Sequence, residues 1–262
     1  MGCSRRTLLI AGCSAVGLAV TGCSDSRESS VEAEDRIADL AYPAMAAHRG
    51  GLSLYPESTM KAFEAIIGEY PNAVLEMDVR TLRDGTMVIF HDPTVGRIAT
   101  NSRAAVAEMS PKDWHALRIR DPKGGRAQPA VFLDEVLERF GSTNSVLMIE
   151  RKGDTEVHAF MEAIRPFKSH VILQDFNVDH VKTMTNAGFD VVQLTGKKAP
   201  ELVPGVYALG IGSNVITERI CSEAQAQGTH VWAWGDDVVY NDPRLTALGV
   251  DGFIVNDPSR HA

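Results

Sequence analysis

Residues 73–92 read AVLEMDVRTLRDGTMVIFHD, two apolar runs joined by a short polar turn. Only Thr81 to Thr86 separate the run Ala73–Arg80 from Met87–Phe90, and a right-handed parallel crossover needs about a dozen residues or more. The two runs therefore form a hairpin around Asp84-Gly85. His91 is delivered by a return strand. With that hairpin set aside, parallel strand candidates begin near residues 44, 74, 146, 171, 190, 206, 230 and 252, and eight parallel strands close a barrel. The fold expected is a TIM-type (β/α)8 barrel with a β-hairpin after the second strand.

Between the strands lie helical faces. Met60, Phe63, Ile66, Ile67 and Tyr70 recur at helical spacing, as do Leu133, Val136, Leu137 and Phe140, then Val157, Phe160, Met161 and Ile164. Further helices are expected over 177–187, 216–227 and 242–248. Lys197 to Gly205 is too polar and proline-broken for a full helix, which makes the strand near 206 the least marked of the eight. Pro93 to Pro129 reads as a long irregular connection with a short helical piece around Pro111 to Leu117. Long connections in a compact domain are usually functional or mobile.

The chain has 262 residues, 44% of them apolar, a net charge of −8 and a pI near 5.5. One barrel of about 250 residues accounts for that length, and the absence of a basic block argues against nucleic acid. The N-terminus follows another logic. Arg5-Arg6 precedes an uncharged apolar stretch, Thr7 to Val20, the layout of an export signal. Val20-Thr21-Gly22-Cys23 resembles a bacterial lipobox, so residues 1–22 are expected to be a lipoprotein export signal with Cys23 lipidated. Export is by the twin-arginine or Sec route. Residues 23–42 then read as a flexible tether and 43–262 as the barrel. Cutting before Cys13 leaves too short an apolar segment, Arg6 breaks a myristoylation start, and Thr7 to Gly22 is too short for a permanent span. The expected product is an exported, extracytoplasmic lipoprotein of a bacterial envelope, held to the membrane by its N-terminal lipid. No protein partner is evident. Cys221 alone remains in the folded part, on the helical pattern Ile216, Ile220, Ala224, and reads as a buried inert thiol.

The chemistry concentrates between His48 and Asp92. Glu76 and Asp78 are two apart in a strand, so both carboxylates project from one face. They repel unless a cation lies between them, and hard ions such as Ca²⁺ or Mg²⁺ take oxygen ligands. In such barrels the site lies at the C-terminal strand ends. His48 ends the first strand, Glu76 and Asp78 lie near the end of the second, Glu150 ends the third, and Lys152 follows two residues on.

These pieces together resemble the glycerophosphodiester phosphodiesterase family, whose barrel plan is shared with phosphatidylinositol-specific phospholipase C. The matching segments are Ala47-His48-Arg49-Gly50, Pro56-Glu57-Ser58-Thr59, Glu76-Met77-Asp78-Val79, Thr81, Asp84-Gly85, His91-Asp92, Pro129 to Leu137, Glu150-Arg151-Lys152 and Trp234. The resemblance implies that Glu76, Asp78 and Glu150 hold one divalent metal, that His48 and His91 are the acid/base pair, and that Arg49 and Lys152 neutralise a substrate phosphate. It implies for Glu57 either a metal ligand or a brace, and for Trp234 a place in the substrate cavity. Trp232 is then expected against the helices. The implied reaction is hydrolysis of a small phosphodiester to glycerol 3-phosphate and an alcohol, through attack by the neighbouring glycerol hydroxyl and opening of a cyclic phosphate by water.

The chain departs from the family pattern at Ser58, where Asn is usual, and at Asp175 before Phe176, where Ser is common. Gly235-Asp236-Asp237 replace Thr-Val-Asn after Trp234, and Val255-Asn256 stand in the late Ile-Thr-Asp. Most of these fall on later strands, which line the substrate side. Lysophospholipid, phosphoinositide or wall-polymer phosphodiesters are the alternative substrates, and a ligand-binding surface lipoprotein is the alternative of another class. An amidohydrolase would carry His-x-His on the first strand, which Ala46-Ala47-His48 lacks. His115, His158, His170, His180, His230 and His261 have no matching carboxylate cluster and are expected to be structural or at the surface.

Overall fold

The computed structural model describes residues 35–260 except 142, 154, 198 and 199. The expected export signal and Cys23 lie outside the described residues. Eight parallel strands close on themselves: β1 (Ala44–Ala47), β2 (Val74–Thr81), β6 (Leu147–Arg151), β7 (Val171–Asp175), β8 (Asp190–Thr195), β9 (Ala208–Gly212), β10 (His230–Trp234) and β11 (Gly252–Val255). β1 pairs with both β2 and β11, and that closes the barrel. β3 (Met87–Ile89) lies antiparallel on the end of β2, with Val79 opposite Ile89. The expected barrel and hairpin are both present.

Helices α1 (Met60–Glu69), α3 (Leu133–Phe140), α4 (Val157–Ile164), α5 (Val178–Asn186), α6 (Glu218–Gln225) and α7 (Pro243–Ala247) connect the strands. Phe63 and Ile66 of α1 and Val136, Leu137 and Phe140 of α3 pack on the outward side chains Leu75, Met77 and Val79 of β2. Alternation along a strand sends the other set inward. Ala46, Val74, Met148, Ile172, Val192, Ala208, Trp232 and Ile254 fill the barrel interior as one buried cluster. Trp232 therefore faces the interior and not the helices. Being two residues from Trp234, it has to share that residue's face.

Gly252 makes room for this indole: a Cβ there would lie 2.1–2.4 Å from three carbons of the Trp232 ring. Cys221 is buried on α6 as expected, and burial pushes its thiol up to about 11. Among the described residues no helix separates β8 from β9.

Two segments differ from expectation. Asp35–Tyr42, read as the end of a tether, packs on the N-terminal end of the barrel. Ile37 is 4% exposed within the interior cluster, the Arg36 N–H donates to Ser169 O at 3.0 Å, and Tyr42 stacks on His230 with ring centroids 4.2 Å apart. Ile37 and Leu40 suffice in a polar stretch, because the open base of the barrel offers apolar area to both. Residues 93–129 are likewise more than a connection. They contain α2 (Pro111–Ala116), where a short helical piece was expected, and the pair β4 (Arg118–Ile119) and β5 (Gln128–Pro129), which was not. Val95, Ala99, Val106, Leu117 and Ile119 surround Trp114, whose ring meets Phe90 edge-on at 5.6 Å. The two-residue strands β4 and β5 are too short for periodicity to reveal.

Gly252→Ala is expected to lower stability by at least about 1–3 kcal/mol, the usual cost of overpacking a core. Denaturant unfolding followed by tryptophan fluorescence measures it.

Candidate active site

The turn after β1 gives the site its shape. Arg49 has φ 51° and Gly50 and Gly51 have φ 77° and 75°, and a Cβ at Gly50 would lie 2.9 Å from Ala62 Cβ. Only glycine at 50 allows this left-handed turn to press against α1. The turn swings the Arg49 N–H onto Glu76 Oε2 at 2.8 Å and places its guanidinium Nε 3.3 Å from Asp78 Oδ2. Ser58, where the family usually has Asn, has φ 57°, and its N–H donates to Arg49 O at 2.8 Å. Asn tolerates that backbone better than most residues.

Strand register aligns the carboxylates. Asp78 pairs with Glu150, and Glu150 with Gln174, so all three stand at one level, while Glu76 lies one step deeper. Carboxylate oxygens of Glu76, Asp78 and Glu150 lie within 4.8 Å of one another. Lys152 Nζ sits 2.8 Å from Asp78 Oδ1 and 2.6 Å from Glu150 Oε1, and Gln174 Nε2 donates to Glu76 Oε1 at 2.8 Å. Burial, then repulsion from Asp78, pushes the Glu76 carboxyl well above its usual range and raises Glu150 to about 7. Burial also opposes the charge on Asp78, but Lys152 and Arg49 outweigh it and hold that carboxyl down to about 2. The set fits a hard divalent cation. Its donors are all oxygen, and neither buried Asp78 oxygen accepts a well-aligned hydrogen bond despite its ion pairs.

The two histidines have different partners. His48 Nδ1 lies 2.6 Å from Asn256 Oδ1, whereas His91 Nδ1 lies 2.7 Å from Asp92 Oδ1. Burial, reinforced by Arg49, lowers His48 to about 4, and burial lowers His91 as well. Both line a cavity of about 250 Å³ together with Arg49, Glu76, Glu150 and Lys152, and Phe176, Leu194, Trp234 and Ile254 form its apolar wall. Trp234 faces this cavity, with Phe176 edge-on to it at 5.8 Å.

Glu57 is a brace. Its carboxylate accepts two bonds from Arg97, both 2.7 Å, and one from Arg49 at 3.3 Å; it is not part of the carboxylate cluster. Arg97 also donates to Asp92 at 2.5 Å, so one guanidinium ties Glu57 to the partner of His91. Nothing in the sequence around Arg97 signalled that role. Gln174 and Asn256 were also not singled out as site residues; only their places at the ends of barrel strands could have marked them. His180, expected to be structural or at the surface, meets Arg151 Nη2 at 2.6 Å beside the buried Arg151–Asp175 pair.

The Glycerophosphoryl diester phosphodiesterase family is matched over residues 48–260. The chain belongs to that family. A glycerophosphodiester phosphodiesterase of Caldanaerobacter subterraneus is 26% identical over 81% of this chain and 93% of its own length. A Mycobacterium tuberculosis protein named "Probable glycerophosphodiester phosphodiesterase 1" is 33% identical over 84% and 91%. Among solved structures, an Oleispira antarctica phosphodiesterase in complex with the product sn-glycerol-3-phosphate superposes with a TM-score of 0.69 at 19% identity, covering 85% of this chain and 96% of that one. The Agrobacterium tumefaciens glycerophosphodiester phosphodiesterase has a TM-score of 0.67 at 19% identity, over 82% and 97%. At that identity these two speak for the fold, and the family assignment rests on the sequence matches. The protein is a phosphodiesterase of this family.

A carboxyl whose folded pKa is raised stabilises the fold most below its ordinary value near 4.5 and loses that contribution as pH rises through the folded value, here about 7 for Glu150. Because the lowered His48 value works the other way up to its ordinary 6.5, the melting temperature of chelator-treated protein is expected to fall between about pH 6.5 and pH 8. Added Ca²⁺ or Mg²⁺ should restore it, and more strongly at the higher pH, where protons no longer compete for the oxygens.

Proposed function

We propose that the protein hydrolyses glycerophosphodiesters to glycerol 3-phosphate and an alcohol, with His48 and His91 moving the protons. The observation that carries this reading is that both histidines line the cavity shared by Glu76, Glu150, Arg49 and Lys152. In it, Glu76, Asp78 and Glu150 hold one divalent metal, Ca²⁺ or Mg²⁺, which when bound neutralises charge on the phosphoryl oxygens. Arg49 offers a planar fork to a non-bridging oxygen and Lys152 a compact positive charge. His48 takes the proton of the glycerol hydroxyl next to the phosphate as that oxygen bonds to phosphorus. His91 gives its proton to the departing alcohol oxygen as the other ester bond breaks. The surroundings support this division: Asp92 beside His91 favours an imidazolium, while burial and the neighbouring Arg49 favour the neutral ring at His48. Water then opens the cyclic phosphate with the two roles exchanged. Trp234 and Phe176 provide an apolar wall for the carbon skeleton of the substrate.

The same proposal places the protein outside the cytoplasm, anchored by lipid on Cys23. Its support is the order Arg5-Arg6, Thr7 to Val20, Val20-Thr21-Gly22-Cys23.

Release of glycerol 3-phosphate from glycerophosphocholine, with Ca²⁺ or Mg²⁺ and with a chelator, tests the reaction. Glu76→Ala and Asp78→Ala are expected to cost about 10²–10³-fold in kcat/KM, and His48→Ala or His91→Ala about 10²–10⁴-fold, each with an unchanged circular dichroism spectrum. Full activity in Glu76→Ala would overturn the reading. For the anchor, incorporation of labelled palmitate in a bacterial host should vanish in Cys23→Ser and persist in Cys13→Ser.

A further inference from the structure

Behind His48 stands a short chain of side chains from the other end of the sequence. Asn256 follows β11, the strand paired with β1, and its Oδ1 lies 2.6 Å from His48 Nδ1. Its Nδ2 donates to Asp236 Oδ1 at 3.2 Å, and Asp236 follows β10 by two residues. A carboxylate only accepts hydrogen bonds. The amide must therefore turn its nitrogen toward Asp236, since the flipped amide would set oxygen against oxygen. That leaves the Asn256 oxygen facing His48, and an oxygen facing Nδ1 at this distance requires the ring proton on Nδ1. His91 needs no such relay, because its Nδ1 meets the carboxylate of Asp92 directly.

We propose that Asp236 and Asn256 are positioning residues that lock the tautomer of His48, holding its proton on Nδ1 and leaving Nε2 as the bare proton acceptor. The inference rests on the reading above in which His48 takes up a proton. Both residues stand where the chain departs from the family pattern: Asp236 in place of the Val of Thr-Val-Asn, and Asn256 in place of the Asp of Ile-Thr-Asp. The two departures are in contact, and in this chain the carboxylate stands behind the residue that touches the histidine. The amide transmits orientation without placing a full negative charge against the ring.

Long-range ¹H–¹⁵N spectra of the imidazoles at neutral pH, alongside steady-state kinetics on glycerophosphocholine, test this. The wild-type His48 should show a protonated-type Nδ1 and a bare-type Nε2. Asp236→Val should produce mixed tautomers and lower kcat on the order of tenfold, with little change in KM or melting temperature. Adding Asn256→Asp to Asp236→Val should restore both the single tautomer and kcat, by placing a carboxylate in direct contact. A wild-type His48 protonated on Nε2, or an Asp236→Val protein with unchanged tautomer and kcat, would overturn the proposal. Full turnover by His48→Ala would instead sink the catalytic reading, whatever the spectra show.

Discussion

Three carboxylates within 4.8 Å of one another, on strands that also close a barrel, are the constraint around which the upper half of this protein is arranged. At that separation each pair of like charges repels by about 3 kcal/mol even at an effective dielectric near 20. The fold answers with two cations aimed at the same spot. Arg49 arrives from the glycine turn after β1, and Lys152 from just beyond β6, where it bridges Asp78 and Glu150. The remaining excess of negative charge is what a divalent ion or a raised carboxyl pKa relieves.

The supporting residues follow from that concentration of charge. Glu57 is needed less for the cation than for holding Arg49 and Arg97 in place, and Arg97 in turn fixes Asp92 behind His91. The packed excursion around Trp114 gives Arg97 a firm base, since the turn Val95–Arg97 belongs to that small core. On the opposite rim, β10 and β11 supply Trp234, Asp236 and Asn256, where the wall of the cavity and the backing of His48 meet. The site thus has a charged side built by β1, β2 and β6 and an apolar side built by β7 to β11.

Family membership accounts for the first side better than for the second. Glu76, Asp78, Glu150, His48, His91, Arg49 and Lys152 follow the pattern, whereas the departures at Asp175, Gly235 to Asp237 and Val255-Asn256 gather on the later strands. The structure gives some of these departures a physical role: Asp175 pairs with buried Arg151, and Asp236 and Asn256 bond each other.

The sequence by itself determined the barrel, the hairpin after β2 and the residues of the charged side, because strand alternation, turn length and the order of strand ends are local properties that one chain carries openly. The brace role of Glu57, the room for the Trp232 ring, the plugging of the barrel base by Ile37 and the relay from His48 to Asp236 were decided only by the tertiary structure. Each depends on contacts between segments far apart in the chain, set by strand register and barrel closure, and such contacts leave no periodic trace in the sequence. Trp232 marks the boundary between the two kinds of knowledge. Its face was implied by a spacing of two, but the space for its ring exists only because Gly252 stands opposite it on the neighbouring strand.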